Sequence, residues 1–136
     1  MSADFKNKYN FLKNDFWQDF IAKNYNTPLE KILFSLNQKL EVDSGILANQ
    51  LKAKQIIETK VPSWKNHKNL IFPNQLNMEQ CSSEHTALYK SKICNGESCI
   101  DLTGGLGIDS FFISKSFKNT IHCEKNLELQ FIAQHN

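Results

Sequence analysis

The sequence has 136 residues, 40% of them hydrophobic and 11% aromatic, a composition that folds around a core and leaves room for one ordinary domain or two small ones. Its formal charge of +2 is too small to imply an electrostatic partner, and every basic residue is a lysine, so bidentate arginine recognition of guanine or phosphate is excluded. No apolar run approaches the roughly 18 to 20 residues of a membrane span. The start MSADFKNKYN lacks the basic-then-apolar order of a secretory signal, so a cytoplasmic protein that does not engage a membrane is expected.

The first part of the chain, to about Gln80, has a helical texture. Phe16, Trp17, Phe20 and Ile21 recur at helix spacing and form one apolar face. TPLEKILFSL then predicts a second helix, with Thr27 as N-cap, Pro28 in the first helical position, Glu30 closing a capping box, and Leu29, Ile32, Leu33 and Leu36 on the buried side. A third helix is expected from Asp43 through Ile46, Leu47, Leu51 and Ile57 until Pro62 ends it. SWKNHKNLIFPNQLNMEQ reads as irregular. Ser82 or Ser83 caps a fourth, short helix through Thr86, Ala87 and Leu88, and NGES marks the turn that follows it.

From there the pattern changes. Cys99 to Leu102 is a short apolar strand, a glycine loop follows, and Ile108 to Phe117 has helical spacing. Thr120 to Cys123 reads as a second strand, and Asn126 caps a last helix through Leu129, Phe131 and Ile132. Strand, helix, strand, helix in this order is the βαβ unit of a parallel sheet. The expected fold class is therefore α/β, with a helical domain over residues 1–80 and the start of an α/β domain over 81–136.

Cys81, Cys94, Cys99 and Cys123 match no paired C-x-x-C pattern, and Cys99 and Cys123 fall in strands expected to be buried; all four are read as reduced. The four histidines are scattered, and His122 inside an apolar stretch reads as a packed imidazole. No metal site is proposed from these residues.

CIDLTGGLGID, Cys99 to Asp109, sets an aspartate at the end of a strand and then glycines at 104, 105 and 107. Glycines between strand and helix let backbone amides approach a ligand that a Cβ would block. A phosphate loop is excluded because no lysine followed by serine or threonine stands at the required offset. A dinucleotide fingerprint is met only loosely by Gly105, Gly107 and Ser110, and it expects no acid at Asp101.

The pattern Asp101-x-x-x-Gly105-x-Gly107 resembles motif I of the class I S-adenosylmethionine-dependent methyltransferases, and Glu124 in IHCEKN stands where that family holds an acid at the end of its second strand. QCSSEHTALYK, Gln80 to Lys90, resembles the segment before motif I in a bacterial group with a THUMP-like C-terminal domain, as do LANQLKAKQIIETKVPSW and IFPNQLNMEQ. The resemblance implies a Rossmann-like sheet and S-adenosylmethionine as cofactor. It implies that Asp101 neutralises the cofactor's ammonium group, that Thr103, Gly104, Gly105 and Gly107 accommodate its methionine portion, and that Glu124 accepts from both ribose hydroxyls. Ser82, Ser83 and Thr86 would approach the same pocket; a plain N-cap is the other reading of the serines.

The family's sheet has seven strands, and its substrate-aligning motif, an aspartate-proline pair after the fourth strand, has no counterpart here. The chain therefore looks like the N-terminal part of a methyltransferase, weak in cofactor binding and without turnover by itself, its open two-stranded sheet poorly ordered or prone to associate. No catalytic residue is named: Asp109 reads as a helix-dipole partner in a first turn. The resemblance implies RNA as substrate, and Lys52, Lys54, Lys60, Lys65 and Lys68 around Trp64 and His67 offer a basic surface with one stacking aromatic, unless Trp64 is packed in the core. Two other readings stay open: a non-catalytic helical module that binds RNA or protein, and a nicotinamide-nucleotide-binding fragment.

Overall fold

A computed structural model of the chain describes residues 2–36 and 42–136. In chain order it contains α1 (Ser2–Lys8), α2 (Asp15–Asn24), α3 (Leu29–Ser35), α4 (Ser44–Lys60), α5 (Gln75–Gln80), α6 (Glu84–Ile93), β1 (Ser98–Asp101), α7 (Ile108–Ser114), β2 (Asn119–His122) and α8 (Leu127–His135). Short 3-10 turns occupy Asn10–Lys13 and Pro62–Trp64. Five of the helices, α2, α4, α5, α6 and α8, start where short polar side chains satisfy otherwise unpaired backbone amides. Asn14 accepts from Phe16 N, Asp43 from Gly45 N and Ile46 N, Asn74 from Asn77 N, Ser83 from Thr86 N, and Asn126 from Glu128 N and Leu129 N.

The α3 start departs from expectation. Pro28 itself is the N-cap, with ψ 131, and there is no side-chain capping bond, so the Thr27–Glu30 box does not form. The proline carbonyl is already the acceptor for Lys31 N and Ile32 N, which leaves Thr27 one residue too early to cap. Ile32 is buried and Leu29 and Leu36 pack partly against the core; the Leu33 side chain lies outside the described residues. The stretch read as irregular holds α5, whose six residues offer too few apolar positions to show a period. Each strand lies one residue earlier than expected, and α7 ends at Ser114 rather than Phe117.

β1 and β2 pair in parallel, Ser98 against Asn119 through Asp101 against His122. The alternation of side chains puts Asp101 and His122 toward α7, where Ser110 bonds both, and leaves Ile100 and Ile121 exposed on the opposite face. Cys99 and Cys123 are half-buried rather than buried, and all four cysteines are free. Among the described residues no helix is long and apolar enough to cross a membrane.

Buried side chains from both parts of the chain form one cluster: Leu47, Ile57 and Val61 of the helical part belong to it together with Ala87, Ile108, Phe112 and Ile132. Polar ties reinforce the junction. Glu128 on α8 accepts from Lys8 Nζ at 2.6 Å and from Tyr9 Oη at 2.7 Å, while Phe131 stacks near the Tyr9 ring. The segment Leu70–Pro73 runs without a sheet partner, so its backbone groups need other acceptors and donors. Buried Gln50 donates to Phe72 O at 2.6 Å and accepts from Phe72 N at 3.0 Å, and Asn136 makes the same two-way clasp on Ile71.

Candidate functional site

The glycine loop is pinned at the carboxyl ends of both strands. Cys123 N donates to Asp101 O at 2.8 Å, Gly104 N to Cys123 O at 2.9 Å, and Gly105 N to Glu124 Oε2 at 2.8 Å. Gly105 and Gly107 have φ of 53° and 84°, a left-handed conformation that costs a residue with a Cβ about 1 kcal/mol or more. Gly104 is required for a different reason: its Cα lies directly against the imidazole of His122. Glycines at these positions let the chain turn twice within the loop and enter α7.

Beside this loop is a cleft of about 260 Å³. Thr103, Gly104 and Gly105 form one wall, Asp109 of α7 and Ser82 before α6 a second, and Glu124 after β2 a third. Gln80 and Cys81, the first two residues of the QCSSEHTALYK stretch, also line it, although only Ser82, Ser83 and Thr86 of that stretch were expected at the pocket. Burial pushes the Cys81 thiol above its ordinary pKa, so it remains protonated and donates to Met78 O. The lining contains the acids Asp109 and Glu124 and no lysine.

The remaining candidates lie around the cleft. Asp101 is under the loop: its Oδ2 accepts from Ser110 Oγ at 2.6 Å and its Oδ1 from Thr103 N at 3.1 Å. Gly107 sits beyond the loop against Ala133 and His122. Ser83 caps α6 and meets the Thr86 hydroxyl at 3.0 Å, so these two hydroxyls are engaged with each other outside the cleft. Because Ser110 spends its one hydroxyl proton on Asp101, it accepts from His122 Nδ1–H at 3.1 Å. His122 Nε2 is buried with no hydrogen-bond partner among the described residues.

A cluster that the sequence did not single out borders the cleft. Lys90 Nζ and Ser82 Oγ both donate to Asp109 Oδ2, each at 2.6 Å. Asp109 does occupy the first turn of α7, as expected, but its carboxylate is tied to α6 and to the segment before it. No local spacing points to this cluster, because the partner on α7 is set by tertiary packing.

The lysines expected to form a basic surface are mostly committed elsewhere. Lys54 donates to Lys65 O, Lys60 to Cys81 O at 2.9 Å, and Lys65 faces Glu58 at 3.5 Å. Burial lowers the Lys54 pKa. Trp64 is buried and packs edge-on against Phe111, so it is not a surface platform for a base.

No family model and no curated protein matches the chain. A solved structure does. The chain is similar, at 29% identity and a TM-score of 0.71, to the crystal structure of a “putative methyltransferase” from Porphyromonas gingivalis W83. The similarity covers 88% of this chain and 30% of that one, so it takes in both the helical part and the βαβα part.

Proposed function

We propose that the chain is the S-adenosylmethionine-binding start of a class I methyltransferase, with 81–136 as the beginning of a Rossmann-like domain and 1–80 as a helical region before it. The observation that carries the reading is the Gly105 N to Glu124 Oε2 hydrogen bond at 2.8 Å, which draws the glycine turn after β1 and the acid after β2 into one cleft. The similarity to the Porphyromonas gingivalis protein supports it.

The residues present fit such a ligand. Each Glu124 oxygen has one backbone donor, Gly105 N or Asn126 N, and a carboxylate has about four acceptor positions, so room remains for ribose hydroxyls. Of the two acids in the lining, Asp109 is paired with Lys90 and Glu124 is not paired with a lysine among the described residues, so the negative charge of Glu124 disfavours a pyrophosphate and counts against a nicotinamide dinucleotide. S-adenosylmethionine supplies a methyl group already activated on a sulfonium. What remains for the chain is to bind, orient and exclude water, the tasks its loop and cleft walls perform. RNA is the proposed substrate class, on the resemblance in sequence; Lys52, Lys65 and Lys68 are the exposed members of the expected basic group, Lys65 beside Glu58, and base stacking would have to come from residues other than Trp64.

Isothermal titration with S-adenosylhomocysteine tests the reading, with NAD and a Glu124→Ala variant as controls. Saturable binding that is absent for NAD and weakened in the variant is the expected result. Binding of NAD instead, or no binding of either by a folded chain, would overturn it.

A further inference from the structure

We infer that a cavity of about 270 Å³ in the helical part is a second binding site, one that takes a small phosphate monoester, with Lys54 and Lys68 receiving the phosphate and Ile21, Leu70 and Phe72 packing against the organic body. The inference does not rest on the methyltransferase reading, because this cavity and the glycine-loop cleft share no lining residue. α2 and α4 supply two of its walls, and the segment from Lys65 to Phe72 supplies the third.

The face that α4 turns toward the cavity is polar, where a core-facing helix is ordinarily apolar. Gln50, Lys54 and Glu58 stand four residues apart and share that face. Two of them are committed: Gln50 clasps Phe72, and Glu58 accepts from Tyr25 Oη at 2.9 Å with Lys65 Nζ at 3.5 Å. Lys54 is different. It is the buried charged residue among the described residues, and it forms no ion pair among them; its ammonium donates to Lys65 O alone. A buried ammonium ordinarily has an anion beside it, because desolvation disfavours the charge. Burial lowers its pKa most, Glu58 opposes the shift and Lys65 adds to it. Further N–H groups of Lys54 remain to be used, and an anion in the cavity supplies the missing countercharge.

A tether alone does not call for this charge. Gln50, one turn earlier, ties α4 to Phe72 with a neutral amide. The rest of the lining decides what kind of anion fits. Lys68 and His67 are exposed, and neither side chain has a partner among the described residues. Of the two acids in the lining, Glu58 is held by Tyr25 and Lys65, and Asp19 is exposed, where water and salt screen it. Two ammonium groups without carboxylates suit a phosphate monoester, which carries a charge of about −1.5 to −2 at neutral pH, better than a monoanionic carboxylate. The apolar Ile21, Leu70 and Phe72 leave the organic body a dry surface to cover.

Calorimetric titration of the purified chain with phenyl phosphate, phenol and AMP tests the inference. Phenyl phosphate should bind saturably, with inorganic phosphate competing, and phenol at least about tenfold more weakly, the scale of one charge-assisted hydrogen bond. Lys54→Met, which keeps the packing and removes the charge, should weaken phenyl phosphate by a similar factor. Lys68→Gln, an exposed change that keeps the test open if Lys54→Met does not fold, should weaken it severalfold, while Lys31→Gln, on α3 outside the cavity, should leave it unchanged. AMP binding more tightly than phenyl phosphate would assign the body to a nucleoside, and the reverse order to a smaller ring. No saturable binding of any phosphate by the folded wild type, wild-type affinity in Lys54→Met, or equal losses in Lys68→Gln and Lys31→Gln would overturn the inference and make Lys54 a tether only. None of these results bears on the binding of S-adenosylhomocysteine at the other cleft.

Discussion

Gly104 packs closely against the imidazole of His122: a Cβ at that position would stand 2.7 Å from Nε2 and closer still to Cε1 and Nδ1. The ring is held at Nδ1 by Ser110, itself bonded to Asp101, so it has little freedom to withdraw. Gly104→Ala should therefore destabilise the chain by about 1–3 kcal/mol, the usual cost of overpacking. Adding His122→Ala should recover much of this loss. Urea unfolding of the two single variants and the double variant gives the coupling energy, and strictly additive losses would show that the loop does not depend on this contact.

Gln50 is a polar residue at the centre of the helical part, and its amide serves both backbone groups of Phe72. Replacing it by leucine keeps the volume but strands a buried N–H and a buried carbonyl. The expected cost is about 1–3 kcal/mol per unsatisfied group at most, read from the shift in urea midpoint. A neutral substitution would mean that Leu70–Pro73 finds its partners elsewhere.

Glu128 gives the fold a dependence on acid. Burial alone would raise its pKa, but the hydrogen bonds from Lys8 and Tyr9 and the Lys8 charge outweigh burial, and the net shift is downward. A carboxyl whose folded pKa lies below its unfolded value contributes stability that is present above the unfolded pKa, 4.5 here, and lost as pH falls through the folded value. Tyr9 is raised, first by burial and then by its bond to Glu128, so its contribution is present below pH 10.0 and fades above it. Denaturation midpoints should therefore drop on the acid side in the wild type and drop less in Glu128→Gln. An acid limb that is identical in the two chains would assign the effect to other carboxyls.

The far face of the sheet is apolar and open, with Ile100 at 57% exposure opposite Ile121 at 54% in register. Such a surface attracts apolar dyes. Ile100→Thr with Ile121→Thr should reduce dye fluorescence while leaving stability nearly unchanged, since neither side chain is buried. Unaltered fluorescence would place the dye site elsewhere.

Local signals in the sequence were legible where a few adjacent residues decide the outcome. Asn126 caps the helix expected of it, Ser83 is the one of the two candidate serines that caps α6, α4 begins directly after Asp43, and the order β1, α7, β2, α8 follows from periodicity broken by glycines. Thr27 failed as a cap because Pro28 takes an extended ψ, which sequence spacing does not reveal. The non-local ties were not legible. Nothing in the residue pattern says that Gln50 meets Phe72, that Lys90 meets Asp109, or that Asp101 faces Ser110 beneath the loop instead of the cleft. Each depends on how helices pack, and amide or carboxylate partners can come from any distance along the chain.

The most direct test of the account is a nitrogen-edited NMR titration of the chain with S-adenosylhomocysteine. Saturable shifts centred on the amides of Ser82, Thr103, Gly104, Gly105, Asp109 and Glu124 are the predicted result. Absence of saturable shifts, or shifts gathered around the separate cavity of about 270 Å³ near Tyr25, Lys54 and Lys68, would contradict the assignment of the glycine-loop cleft as the ligand site.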